Sequence, residues 1–260
     1  MKEFSAKERH QIILEYIKKN DYVDVNYLKD VLNVSEMTIR RDLTKLEEEN
    51  KLIRVHGGAI SRQKEMYEAP LKKRIKSNYR EKDLIGKYAA TLVEEGDVVL
   101  LDASSTVATM IKYLNISCTI ITSNITVALD LVENENINVI LLGGHLRKSA
   151  LSLVGYETID MLAKYNVDKV FLSSKAIDIE HGVSDATVEE AEVKKAMINS
   201  SKTIYFLMDS TKLNKCTFYN VCKIDKVYNL ITNAPKELLK SQKKFINECI
   251  QNGVKIKVVN

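Results

Sequence analysis

No stretch of this chain is apolar enough, for long enough, to cross a bilayer. The longest uncharged run, Tyr113 to Leu129, is studded with Asn, Ser and Thr, whereas a membrane helix needs roughly 20 mostly apolar residues. The first residues carry Lys2, Glu3, Lys7, Glu8 and Arg9 where a secretory signal would place its apolar core. Cysteine is scarce. Cys118, Cys216, Cys222 and Cys249 lack the short paired spacing of a zinc site, so free thiols in a cytoplasmic protein are expected, with no metal and no cofactor. Neither an internal repeat nor a low-complexity tract is visible. Net charge is small as well, +4 over 260 residues, which taken alone speaks against a polyanionic partner. What is present is an ordinary globular composition, 45% hydrophobic and 28% charged, in a chain longer than one typical domain of about 100–200 residues.

Divided along the chain, the charge is informative. Residues 1–62 hold 12 Lys/Arg against 11 Asp/Glu, residues 63–82 hold 7 against 3, and residues 83–260 hold 20 against 21. The excess sits in a short segment with little apolar periodicity, Pro70 and the run Lys72, Lys73, Arg74, Lys76, which reads as a linker or an exposed helix start. Three parts are therefore expected: an N-terminal domain over 1–62, a basic linker over 63–82, and a larger domain over 83–260.

The first fifty residues have helical periodicity. Ile12, Ile13, Tyr16 and Ile17 form one apolar stripe, and Val25, Leu28, Val31 and Leu32 a second. Asp24 is placed to cap the second helix and Ser35 a third. On a wheel of the third helix, Ile39, Leu43 and Leu46 share one side. Thr38, Arg41 and Lys45 take the other, joined by Met37, with Arg40 on the flank. Leu52–Val55 and Ala59-Ile60 then read as short strands around His56-Gly57-Gly58.

A cationic face alone is the ordinary solvated side of a surface helix. Behind a short helix, a tight turn and a cap, and before a glycine hairpin, it suits a recognition helix in a DNA major groove. Arginine can bond guanine O6 and N7, Thr38 a thymine methyl or phosphate, and Lys45 a phosphate; the helix start at Ser35 offers free N–H groups to another phosphate. The segment Val34-Ser35-Glu36-Met37-Thr38-Ile39-Arg40-Arg41-Asp42-Leu43, followed by Arg54-Val55-His56-Gly57-Gly58-Ala59, resembles the N-terminal winged helix-turn-helix of DeoR-family bacterial transcription regulators. The resemblance implies that Thr38, Arg40 and Arg41 contact a double-stranded operator and that His56, Gly57 and Gly58 form the wing; Arg54 is expected among the DNA-binding residues with them.

Beyond residue 83, β-branched runs alternate with helical stripes. Val98–Asp102, Thr119–Thr122, Asn138–Leu142, Lys169–Ser173, Thr203–Met208 and Val227–Thr232 are expected strands. Thr106–Tyr113, Thr126–Val132, Glu157–Lys164, Thr187–Asn199 and Lys236–Gln251 are expected helices. The alternation predicts an α/β domain with a mainly parallel sheet. In such a sheet the loops after the strands share one rim, where open α/β sheets place ligands. Those loops carry Asp102, Ser104, Ser105 and Thr106, then Thr122, Ser123 and Asn124, then Gly143 and Gly144, and finally Asp209 and Lys212. Hydroxyls and N–H groups at a helix start with a nearby ammonium suit a small anion; singly, each loop reads as a helix cap or a surface lysine.

The resemblance continues through Gly143-Gly144-His145-Leu146-Arg147, Leu153-Val154-Gly155, Gly182-Val183-Ser184 with Glu190-Ala191-Glu192-Val193-Lys194, and Asp209–Lys212. It implies an effector domain with a fold similar to ribose-5-phosphate isomerase, phosphorylated sugars as ligands, and Lys194 among the site residues. One departure stands in the first loop, Ala103-Ser104-Ser105-Thr106, where the family usually has Ser-Gly-Thr-Thr; without the glycine, fewer backbone conformations are open beside a phosphate.

Two other functions are compatible with such a chain. An active sugar-phosphate isomerase needs carboxylates after the strand that here reads Leu172-Ser173-Ser174-Lys175-Ala176, and both aspartates of the isomerase pattern are missing. Glu189, Glu190 and Glu192 read with Lys194 and Lys195 as a solvated helix face. A DNA-binding protein whose second domain serves only oligomerisation is the third reading. The favoured expectation is a sugar-phosphate-controlled repressor acting as a homodimer or homotetramer, because a symmetric pair reads two half-sites. The basic linker is expected to add phosphate contacts.

Overall fold

The computed structural model describes residues 4–20, 22–49, 51–55, 58–61, 71–234 and 240–260. Its contacts separate two compact units, Met1–Glu68 and Ala69–Asn260.

In the first unit α1 (Ala6–Asn20), β1 (Tyr22–Asp24), α2 (Val25–Leu32) and α3 (Glu36–Glu48) precede the strands β2 (Leu52–Val55) and β3 (Gly58–Ser61). Asp24 Oδ1 accepts the N–H groups of Asn26 and Tyr27 at 2.7 and 3.1 Å, and α2 ends on Asn33 in the left-handed conformation, φ 50°. Asparagine tolerates that conformation better than other side-chain-bearing residues, so the turn into α3 is written locally. The apolar stripes of the three helices close on one core of Ile13, Ile17, Leu28, Leu32, Ile39, Leu43 and Leu46, covered by Val23, Leu52 and Ala59 from the small antiparallel sheet β1-β3-β2. Strand β1 is an addition to the expected elements; three residues are too few to show a period. Val55 pairs with Gly58, and His56 and Gly57 lie outside the described residues.

The second unit opens with α4 (Leu71–Lys76) and α5 (Tyr79–Ala90): residues 62–70 lie outside the described set, and from Leu71 the basic segment is a helix start. The reason is packing. Ile85, Gly86 and Ala89 of α5 are buried against the sheet, and a Cβ at Gly86 would lie 2.3 Å from Thr109 Oγ1, so only glycine permits that approach.

The main sheet has seven strands in the order β15-β14-β12-β9-β4-β5-β6, all neighbours parallel: β4 (Val98–Leu101), β5 (Cys118–Thr122), β6 (Ile137–Leu141), β9 (Val167–Leu172), β12 (Ser201–Leu207), β14 (Asn229–Asn233) and β15 (Lys255–Val259). Successive side chains of the central strands feed opposite cores, as a sheet covered on both faces requires. Val99, Leu101, Phe171 and Leu207 pack with α5, the 3-10 helix Val107–Tyr113 and α6 (Ile125–Leu131). Leu100, Val170, Leu172 and Phe206 pack with α7 (Tyr156–Leu162), α8 (Val188–Asn199) and α9 (Lys240–Gln251). A hairpin β7 (His145–Arg147) and β8 (Ser152–Val154), and an antiparallel sheet β10 (Ala176–Asp178), β11 (Gly182–Asp185) and β13 (Tyr219–Cys222), stand apart from the main sheet.

Candidate DNA-reading face and ligand-binding rim

Helix α3 is capped by Ser35, whose Oγ accepts the N–H of Thr38 at 3.2 Å and lies 2.9 Å from Thr38 Oγ1. Ile39, Leu43 and Leu46 are buried, while Met37, Arg40, Arg41 and Lys45 are exposed and Thr38 is half-buried. The cations differ in what engages them. Arg40 lies along Glu36, with Nε and Nη2 at 2.8 and 2.7 Å from Oε1. Arg54 turns back onto α3: its N–H donates to Glu47 Oε1 and its Nη1 to Thr44 Oγ1, each at 2.8 Å. It fastens the hairpin to the helix. Gly58 is buried in β3. Sequence reasoning passed over Asp42, which sits buried on the inner side of α3 and accepts from Arg9 of α1 at 2.7 and 3.1 Å, with His10 Nε2 at 3.2 Å. The one available signal was an acidic residue beside Leu43 in the core stripe.

In the second unit the parallel sheet delivers every strand-end loop to one rim. Asp102 is buried. Its Oδ1 accepts the N–H of Ser104 and its Oδ2 that of Ser173, both at 2.9 Å. Lys194 Nζ lies 3.3 Å from Asp102 Oδ2, 3.5 Å from Asp185 and 3.6 Å from Glu190. Burial opposes its charge, yet the carboxylates of Asp102, Asp185 and Glu190 more than reverse that and hold the ammonium above its ordinary pKa. Glu190 also accepts from Ser152 Oγ at 2.6 Å and Arg147 at 3.2 Å, and Asp185 from Ser174 Oγ at 2.9 Å. The solvated face expected for Glu190 and Lys194 is therefore corrected: α8 turns that side inward, burying Glu190, Ala191, Val193, Lys194 and Met197. Glu189 remains exposed, and Glu192 pairs with Lys195 at 2.8 Å.

The remaining candidates fall into four places. Ser104 Oγ caps the 3-10 helix at Val107, 3.2 Å away, with Ser105 and Thr106 buried beside it. Thr122 Oγ1 donates to Leu101 O at 2.9 Å, Ser123 O accepts from Leu153 at 2.8 Å, and Asn124 Oδ1 caps α6. The Nδ2 of Asn124 is buried without a hydrogen-bond partner. Gly143 and Gly144 make their described contacts to α7: Thr158 Oγ1 donates to Gly143 O at 2.7 Å, and a Cβ at Gly144 would lie 2.1 Å from the same hydroxyl.

Asp209 accepts from the N–H of Thr211 at 3.1 Å through Oδ1, and its Oδ2 is buried with no hydrogen-bond partner. Several cations act on it or beside it. Burial lowers the Lys212 pKa, Asp209 resists and Lys175 adds to the fall. Lys82 of α5 is buried and its Nζ donates to Arg74 O. Desolvation, opposed by Asp209 and aided by Lys212, Arg74 and Lys175, brings its pKa down to about 8. Lys82 was missed because its basic neighbours read as a linker. Arg74, counted there too, belongs electrostatically to this cluster.

A helix-turn-helix with a paired hairpin, in one chain with a parallel α/β unit that gathers buried ionisable side chains on its strand-end rim, defines a two-unit DNA-binding regulator. Residues 9–65 match the model of the DeoR-like helix-turn-helix domain and residues 77–234 that of the DeoR C terminal sensor domain. The chain belongs to the DeoR family. It is similar to the HTH-type transcriptional repressor GlcR of Bacillus subtilis, 39% identical over 87% of this chain and 88% of that protein. The glycerol-3-phosphate regulon repressor of Escherichia coli is 29% identical over 88% and 91%. Ribose 5-phosphate isomerase A of Methanocaldococcus jannaschii aligns with 52% of this chain and 55% of its own at 19% identity and a TM-score of 0.40, a likeness too distant to carry weight. No helix among the described residues is long and apolar enough to cross a membrane.

Proposed function

We propose that this chain is a cytoplasmic repressor that binds an operator as a homodimer or homotetramer and is controlled by a phosphorylated sugar at the rim of its second unit. The observation that carries the ligand class is the meeting of Lys82 and Lys212 beside Asp209: burial lowers both pKa values, Lys212 lowers that of Lys82 further, and a phosphate dianion counters that loss. Asn124 Nδ2 and Asp209 Oδ2 are polar atoms left for sugar hydroxyls. The serine-rich loop 103–106 supplies the helix-start N–H groups.

The test is a thermal-shift screen of phosphorylated sugars at pH 7.5, followed by operator titration with each hit, because a ligand of the folded state raises its stability. The affinity of a hit is expected to fall as pH rises through 8. Phosphate has lost its second proton well below that pH, with a pKa of about 6, so the proton taken up on binding goes to Lys82. The slope approaches one decade per pH unit, and Lys82→Met both weakens binding at pH 7.5 and flattens the profile. A flat wild-type profile between pH 7.5 and 9.5 sinks the assignment.

At the operator, Arg41 and Lys45 are the cations that stand exposed on the outer face of α3, with Arg40 joining after release from Glu36, Thr38 beside them and the wing of His56, Gly57 and Gly58 alongside the backbone. Arg54 positions that wing. Arg41→Ala is expected to weaken operator binding about 10–100-fold, the worth of one bidentate base contact, with the melting transition unmoved. Unchanged affinity at moderate salt would refute the orientation of α3. Catalysis is not part of this reading: Glu190 is committed to Arg147, Ser152 and Lys194, and no carboxylate stands in Leu172–Ala176.

A further inference from the structure

Outside the rim network, the tight turn between β10 and β11 faces the segment that follows Ser210–Lys212. Three side chains with metal-ligating atoms meet there: Asp178, His181 and Cys216, whose ligand atoms all lie within 4.8 Å of one another. Each is partly exposed, so an ion has a way in.

The backbone around them is fixed on every side. The N–H of His181 donates to Asp178 Oδ1 at 2.6 Å, and His181 Nδ1 lies 2.9 Å from Asp178 Oδ2. Gly182 closes the turn at φ 74°, where a Cβ would sit 2.2 Å from Cys222 O. Cys216 is anchored by both neighbours: the N–H of Lys215 donates to Ile177 O at 3.1 Å, and that of Thr217 to Ser184 Oγ at 2.9 Å. Glu180 adds a second carboxylate, its Oε1 4.0 Å from His181 Nε2.

We infer that Asp178, His181 and Cys216 form a binding site for one thiophilic divalent cation of the zinc type. Thiolate and imidazole select such a metal over magnesium or calcium, which prefer oxygen alone. Bonds of about 2.0–2.3 Å in a tetrahedron put ligand atoms roughly 3.3–3.7 Å apart, so the three close on an ion by side-chain rotation with the backbone in place. The cation displaces the thiol proton to solvent and offsets the thiolate and the Asp178 carboxylate. A water completes the tetrahedron. Occupancy ties the β10–β11 turn to the segment immediately after Lys212. The site stands whether or not the rim takes a sugar phosphate.

Untagged full-length protein, competed for Zn²⁺ against a chromophoric chelator, is expected to hold one ion per chain. Cys216→Ser and His181→Gln should each weaken it by more than about 100-fold, since even outer-shell partners cost 10–100-fold. Co²⁺ should show a thiolate charge-transfer absorption in the wild type that Cys216→Ser abolishes. Circular dichroism checks that the serine variant folds, and His181→Gln, on a turn, reports independently if it does not. Binding well below one ion per chain, affinity unchanged in both variants, or a charge-transfer band that survives in Cys216→Ser would overturn the site.

Discussion

Lys194→Met is expected to cost the second unit on the order of 3–5 kcal/mol, the usual loss when one partner of a buried ion network is removed. The side chain of Lys194 is 5% exposed and faces three carboxylates, those of Asp102, Asp185 and Glu190, with side-chain exposures of 1, 6 and 10%. Methionine fills the volume but removes the ammonium that lies within ion-pair distance of Asp102 and Asp185; Arg147 reaches Glu190 alone among the three, and Lys212 acts on Asp185 only through longer-range attraction. Asp102 also receives the Ser104 and Ser173 N–H groups, so its unrelieved charge disturbs the two loops that frame the rim. Thermal denaturation checks this: at about 2–4 °C per kcal/mol for a unit of this size, the transition drops by roughly 6–20 °C. A loss below about 1 kcal/mol would show that the network behaves as a surface cluster.

The same helix marks the boundary of what the sequence discloses. Glu190 and Lys194 are four residues apart, a spacing that on an isolated helix means an exposed pair, and nothing local says that this side of α8 faces inward. That information lies in Asp102, ninety-two positions earlier, and in the pairing that sets β4 beside β9. Lys82 was hidden differently: its aliphatic stem is part of a helix face, but Lys72, Lys73, Arg74 and Lys76 mask the apolar positions Leu71 and Ile75. Asp178 and His181 share one turn, but Cys216 follows only after β11, α8 and β12, so no short spacing rule joins the three. What local rules do find is whatever one element determines by itself. Ser35 and Asn124 cap the helices that follow them, Ile39, Leu43 and Leu46 face the core, and the alternation in Val98–Leu101 places Leu100 against one core and Val99 and Leu101 against the other. Strand β15, Lys255–Val259, has that alternation too. At the sheet edge its outer positions remain charged, so the apolar half of the pattern is thin.

The N-terminal unit contains the counterpart of the Lys194 network, and the second large effect is expected there: Asp42→Ala should cost about 3–5 kcal/mol in a unit whose whole stability is on the order of 5–15 kcal/mol. Arg9 and Asp42 have side-chain exposures of 10 and 5%, and the guanidinium meets the carboxylate through two nitrogens, at 2.7 and 3.1 Å. Burial and hydrogen bonding of this kind remove the screening that makes surface pairs weak. With alanine at 42, Arg9 keeps only the carbonyl of Phe4, at 3.0 Å, and its charge stays in the interface between α1 and α3. The unit then populates unfolded states, and operator affinity falls with it although Asp42 faces away from the proposed DNA surface. Denaturant titration of the first unit, read beside operator binding, measures both losses. Arg9→Met combined with Asp42→Leu separates the charge from the packing: an apolar pair of similar volume is neutral or stabilising at many such sites, so folding should return. If operator affinity returns as well, the pair is a folding device; if stability recovers and affinity does not, Arg9 and Asp42 set the angle at which α3 presents Arg41. A loss in Asp42→Ala below about 1 kcal/mol would refute both.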